Sequence, residues 1–342
     1  MKKLPLSRLR AVLALVLVTF VGLFVTACSP SGESADSSAS SNASEGSWPR
    51  TIQTDDGELT LDAKPEKIVS TSTTLTGSLL AVGAPVVASA ATVPNVEGLS
   101  DDQGFFSQWS KEAKDAGVEK LYENSSPNLE KVAEYSPDLI VVSKNSGDSV
   151  MDSVDQLRKI APVLVIDYSG ASWQDVTTKV AEATGHEEEA QKVIEDFDTR
   201  LNEVKDKITV PEGSTSAFIV FGDGSGAAAL TEQAPQVQIL TSLGFTMAEI
   251  PEDVKGDTSM GADRQDIVNL SLENVQKGLT GDNWIAVSAD DVAKDQIKND
   301  PAFNTATAVK DGKVYYTPGE TFRLDNYSAH IMLDSLEQSF AQ

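Results

Sequence analysis

Cysteine is almost missing from this 342-residue chain: it occurs once, as Cys28. One thiol cannot close an intrachain disulfide or build a zinc–cysteine site. Histidine is nearly as scarce, with only His186 and His330. Neither has an acid and a nucleophile beside it in sequence, so no catalytic set is expected. Basic residues are outnumbered, 27 Lys and Arg against 52 Asp and Glu, for a net charge of −25. So acidic a chain is a poor partner for nucleic acid, and solubility is the plainer use of the charge. Beyond residue 27 no stretch is long and apolar enough to span a bilayer. The loop Gly222-Asp223-Gly224-Ser225-Gly226 has Ala227 where a dinucleotide fingerprint needs its last glycine. It reads as a flexible cleft loop rather than a phosphate cradle. Tyr315-Tyr316 could suggest ferric ligands, but strand neighbours point to opposite faces. No metal site is expected.

What is present begins with an address. Lys2, Lys3, Arg8 and Arg10 precede an apolar run from Ala11 to Val25, which ends Val25-Thr26-Ala27-Cys28. A basic start, an apolar core and small residues before Cys resemble a bacterial lipoprotein signal; the alternatives are a plain signal peptide or a membrane anchor. The resemblance implies cleavage after residue 27 and a lipid on Cys28. Residues 28–47, rich in Ser, Ala, Gly and acids, read as a flexible tether. Losing the first 27 residues removes four basic charges and leaves −29. The protein is then expected on the outer face of the cytoplasmic membrane.

From His186 to Ile208 apolar residues recur at three- and four-residue spacing: Ala190, Val193, Ile194, Phe197, Leu201, Val204 and Ile208. That is one face of a long helix. Glu187, Glu188 and Glu189 suit its positive end, and Pro211 with Gly213 stops it. It is an ordinary surface helix or a connector between two lobes. Similar flanks favour the connector. Asn128-Leu129-Glu130-Lys131-Val132 precedes the apolar Leu139–Ser143, and Ser271-Leu272-Glu273-Asn274-Val275 precedes Trp284–Ser288. Each reads as a short capped helix feeding a buried strand.

The remaining pattern alternates. A hairpin turns at Asp55-Asp56-Gly57, strands are predicted at Val86–Ala91, Val163–Asp167, Ala217–Phe221, Phe245–Ile250 and Val314–Thr317, and a helix over Gln103–Ala116. Strands alternating with helices predict an α/β protein: two lobes with mostly parallel sheets, joined by one long helix. The expected division is 48–184 for the N-terminal lobe, 185–209 for the connecting helix and 210–342 for the C-terminal lobe. Cations are sparse in the second half, so Arg264 and Arg323 stand out. An Arg beside Phe322 on a loop can hold an anionic aromatic ligand by charge and stacking. The alternative is local pairing, Arg323 with Asp325 or Glu320, and Arg264 with Asp263 or Asp266.

Ser70–Thr92, Asp101–Lys114 (DDQGFFSQWSKEAK), Asp155–Tyr168 and Glu320–Ala329 (ETFRLDNYSA) resemble the helical-backbone class of ABC-transporter binding proteins, for iron-siderophores, haem and cobalamin. Asp101 and Glu320 motifs resemble its ferric enterobactin subgroup. The resemblance, running from about Trp48 to the C-terminus, implies a helical-backbone periplasmic-binding-protein fold with a ligand in the cleft between lobes. It implies a binding role, not catalysis, and no resident cofactor, since iron arrives as a siderophore chelate. By the same resemblance Arg323, Phe322, Arg264, Lys111 and Trp109 meet the ligand, and Glu130 and Glu273 dock on the two permease subunits. The subgroup carries an arginine before the Asp101 motif; here Glu97 stands in that stretch, adding an anion near the ligand. The expected ligand is a catecholate such as ferric enterobactin. Haem or cobalamin is the alternative cargo, and a surface siderophore esterase the alternative of another class.

Overall fold

The computed structural model describes residues 47–254 and 265–341. The chain opens with the hairpin β1 (Arg50–Thr54) and β2 (Gly57–Leu61), in register from Arg50 opposite Leu61 to Thr54 opposite Gly57. Its underside, Ile52, Leu59 and Leu61, is buried, as the alternation of a half-buried hairpin requires.

The first sheet holds β3 (Ile68–Ser70), β4 (Val86–Ala91), β5 (Glu119–Glu123), β6 (Leu139–Ser143) and β7 (Val163–Ile166) in the order β5-β4-β3-β6-β7, all parallel. β6 and β7 are buried along their whole length, the continuous apolar run expected of strands covered on both faces. The second sheet holds β8 (Ser214–Val220), β9 (Gly226–Leu230), β10 (Thr246–Met247), β11 (Ile267–Ser271), β12 (Asn283–Ala286) and β13 (Val314–Tyr316). Its order is β11-β9-β8-β12-β13, with β10 beside the start of β8.

This second sheet is mixed. β12 is parallel to β8 and β13, but β9 runs antiparallel to β8 and β11. The cause is the Gly222–Gly226 segment. Too short for a parallel crossover, it forms a tight turn in which Asp223 Oδ1 accepts from Ser225 N at 2.9 Å and Gly224 N bonds Phe221 O at 3.0 Å. It is a hairpin, not the flexible loop expected. Gly226, at φ 149°, lies so close to β11 that a Cβ would sit 2.0 Å from Leu270 O.

Two further expectations change. The helix over Gln103–Ala116 contracts to Ser110–Asp115. The Asp101 carboxylate accepts from the N–H groups of Gln103 and Phe105, both at 2.9 Å, and so diverts that backbone into a turn. The Phe245–Ile250 strand shrinks to β10.

The long helix spans Glu187–Lys207, capped by His186 and Ile208, on the order of 31 Å at about 1.5 Å per residue. Ala190 joins a core cluster of the first lobe, while Phe197, Val204 and Ile208 join one built on the second sheet. Phe197 meets Trp173, from the helix Trp173–Thr184, and His330, from the last helix Asn326–Phe340, both edge-on at 5.0 and 5.5 Å. Arg200 bonds Asp334 and Glu337 on that last helix at 2.6 and 2.5 Å. The lobes also touch directly. A Cβ on Gly77, in the helix Thr73–Ala81, would fall 2.3 Å from Asp325 Oδ2. Only glycine admits that approach. Among the described residues no helix is long and apolar enough to cross a membrane.

Candidate functional site

The strand order of the first sheet reverses beside β3, from which the chain goes out to β5 and returns to β6 on the other side. Such a switch point leaves a crevice outside the carboxyl ends of the strands. Ser72 and Thr74 follow β3, Asp148 follows β6 and Tyr168 follows β7. From the second lobe, the turn after β13, Gly319–Phe322, brings in Phe322 and Arg323. Thr74, Leu75, Tyr168, Trp173, Gln236 and Arg323 line the crevice floor, about 60 Å³ in volume. That holds water, not a chelate, so a large ligand must rest on the mouth above it.

Arg323 is half-buried. Its guanidinium carbon lies 4.8 Å from the centroid of Phe322 and 5.8 Å from that of Tyr168, across the crevice. It makes no ion pair among the described residues. Its expected local partner, Asp325, is turned inward: Asp325 Oδ1 accepts from Ser328 N at 2.9 Å to cap the last helix, and Oδ2 accepts from Gln108 Nε2 at 3.4 Å. Gln236 Nε2 donates to the carbonyls of Thr321 and Phe322 at 3.0 and 3.1 Å, which fixes the turn that carries the cation. Phe322 is 37% exposed, an apolar face offered to a ligand.

Burial pushes the Asp325 carboxyl up to about 6 from 3.8. A raised folded-state pKa means stability that is present below about pH 4 and lost as pH rises through about 6. Asp325→Asn keeps an acceptor for Ser328 N and removes the buried charge. It should raise stability at pH 7 by about 1–3 kcal/mol, at about 1.4 kcal/mol per pKa unit, and flatten the dependence between pH 4 and 6. Urea denaturation at both pH values measures this; an equal change at each would refute it.

Asp148, 7% exposed, accepts from Ser72 Oγ at 2.5 Å, Thr74 N at 3.2 Å and Tyr168 Oη at 2.8 Å. Burial and the Asp148 charge push the Tyr168 phenol up to about 12. The sequence reading missed Tyr168, Asp148 and Trp173. An aromatic just beyond the carboxyl end of a buried strand was the available signal for Tyr168.

Two expected ligand residues are elsewhere. Trp109 is fully buried in the first lobe, packed on Phe105 and Phe106 at 5.3 and 6.1 Å. A ligand cannot reach it. Lys111 lies on the outer face of its short helix, its side chain 79% exposed and paired with Asp115 at 2.5 Å. It does not line the crevice. Arg264 and Cys28 lie outside the described residues. Glu130, in the first turn of the helix Leu129–Glu134, and Glu273, in the turn Leu272–Asn274, are both exposed, one on each lobe. Glu97 is exposed too, next to Gly98, whose backbone packs on Gly319.

A second hollow, about 680 Å³, carries Glu232, Glu249 and Glu252 among its described lining. Among the described residues no three His, Cys, Asp or Glu side chains form a metal-holding group.

Known proteins share this architecture. The ferric enterobactin-binding periplasmic protein FepB of Escherichia coli is 43% identical over 293 residues, 86% of this chain and 91% of FepB. The probable siderophore-binding lipoprotein YfiY of Bacillus subtilis is 29% identical over 231 residues, 66% of this chain and 65% of YfiY. The crystal structure of holo-ViuP superposes with a TM-score of 0.78 at 32% identity, over 86% of this chain and 96% of that one. Residues 66–321 match the periplasmic binding protein family; the chain belongs to that family, a binding protein and not an enzyme.

Proposed function

We propose that this chain is the lipid-anchored binding component of an ABC importer, which captures an iron(III)-siderophore outside the cytoplasmic membrane and hands it to the permease. The favoured cargo is a catecholate such as ferric enterobactin. The observation that carries this reading is Arg323, a cation with no ion pair among the described residues, flanked by the rings of Tyr168 and Phe322 at the crevice between lobes. A ferric tris-catecholate is an anion wrapped in aryl rings. A guanidinium between aromatic faces offers it charge and stacking together. The 43% identity to a ferric enterobactin-binding protein supports the same cargo. Cys28 after Val-Thr-Ala supports the lipid, and Glu130 and Glu273 are the proposed permease contacts.

The test is intrinsic tryptophan quenching of the soluble domain from Trp48 onward, since Trp173 lines the crevice. Ferric enterobactin should quench tightly and saturably, with apo-enterobactin, a ferric hydroxamate and haem inert. Quenching by haem or the hydroxamate alone would move the cargo, and Glu97 would be the first residue to examine.

A further inference from the structure

We propose that Asp148 is a positioning residue for the cargo: it holds the Tyr168 hydroxyl so that the Tyr168 ring, not its hydroxyl proton, faces the bound chelate opposite Arg323. This rests on the siderophore reading and names how the first lobe reads an aryl ligand. Asp148 is a buried carboxylate bonded to Tyr168, which lines the crevice, and an anion so near an anionic cargo is a liability unless it is used. Its three acceptor contacts account for it. Two of them, from Ser72 Oγ and Thr74 N, tie it to the start of the helix Thr73–Ala81, where the helix dipole favours negative charge. The third takes the hydrogen of Tyr168 Oη at 2.8 Å.

A carboxylate can only accept, so the phenol is forced to be the donor. Its hydrogen is then unavailable to a ligand. What remains is the ring face, which Arg323 already approaches to 5.8 Å from the other lobe. The phenol stays protonated at neutral pH, because burial pushes it up to about 12. Fixing the ring before the ligand arrives lowers the ordering cost of binding. The effect of this pair is to select aryl chelates through the wall they meet.

The test is a double-mutant cycle read in ferric enterobactin affinity. Tyr168→Phe removes the Tyr168–Asp148 hydrogen bond alone, and Asp148→Ala removes it together with those from Ser72 Oγ and Thr74 N. Tyr168→Phe should weaken binding about fivefold, in line with the loss of one hydrogen bond, and the double variant should stay within about twofold of Asp148→Ala, because coupled residues are not additive. With ¹³C-labelled tyrosine, adding ferric enterobactin should move the Tyr168 ring resonance in the wild type and much less in Asp148→Ala, a difference that a merely structural carboxylate would not give. If Asp148→Ala fails to fold, Tyr168→Phe decides alone. Wild-type affinity in Tyr168→Phe, or fully additive losses, would overturn the proposal. A wild-type protein blind to ferric enterobactin would instead remove the cargo reading, and this role with it.

Discussion

Arg323→Ala should weaken ferric tris-catecholate binding at least tenfold, roughly 1.4 kcal/mol, while leaving the fold intact. The fold is spared because the side chain makes no ion pair among the described residues and lies at the crevice against the rings of Phe322 and Tyr168. The bond that does involve this residue in the framework is Ser328 Oγ to the Arg323 carbonyl at 2.8 Å, and Ala retains that carbonyl. The affinity is lost because the guanidinium supplies both charge and a stacking plane. Exposed ion pairs contribute only about 0–1 kcal/mol, whereas a half-buried cation between aryl faces is screened less and adds a cation–π share of about 0.5–2 kcal/mol. Arg323→Lys keeps the charge and loses the plane, so its affinity should fall between the two. Raising salt should weaken the wild type more than the Ala variant, because only the wild type has this charge to screen. Fluorescence titration measures all three proteins; an unchanged affinity in Arg323→Ala would remove the role assigned to it.

Parts of the molecule were legible in sequence because their signal is local. The connecting helix shows an unbroken 3.6-residue apolar stripe, and its ends fall at His186 and Ile208. The hairpin at Asp55–Gly57 was equally readable. β9 was not: Gly-Ala-Ala-Ala-Leu has poor strand propensity, yet all five residues are buried, and small side chains suit a strand packed between two neighbours. The Gln103–Ala116 helix failed because a side chain, Asp101, outcompeted the periodic pattern for the backbone. Trp109 and Lys111 lie away from the crevice lining for a tertiary reason. Residue type and motif say which side chains are special, but not which face the lobe turns to the crevice. Arg323 and Phe322 were placed by the sequence at a loop after a strand, and the structure puts them at the crevice. Their partner Tyr168 belongs to the other lobe, so no spacing in the chain could announce the pair.

Glu130→Ala combined with Glu273→Ala should leave cargo affinity within about twofold and stop iron uptake. Both carboxylates are exposed, on opposite lobes, at the starts of short helical turns. Neither forms an ion pair among the described residues. As plain solvated glutamates they would contribute at most a few tenths to about 1 kcal/mol through the helix ends, and the double variant would fold and transport normally. As docking groups that meet arginines on the two permease subunits they become desolvated charge pairs. Truncating one partner of such a pair costs about 2–5 kcal/mol, so losing both weakens docking by several orders of magnitude, far beyond what the local effect can reach. The two readings therefore separate cleanly in one experiment: uptake of ⁵⁵Fe-enterobactin by cells carrying the double variant at wild-type abundance, beside a titration of the same variant with ligand. Uptake at the wild-type rate would remove the docking role. Loss of uptake with loss of cargo binding would place the defect in the fold instead. Each single variant should retain partial uptake, because one lobe still engages its subunit.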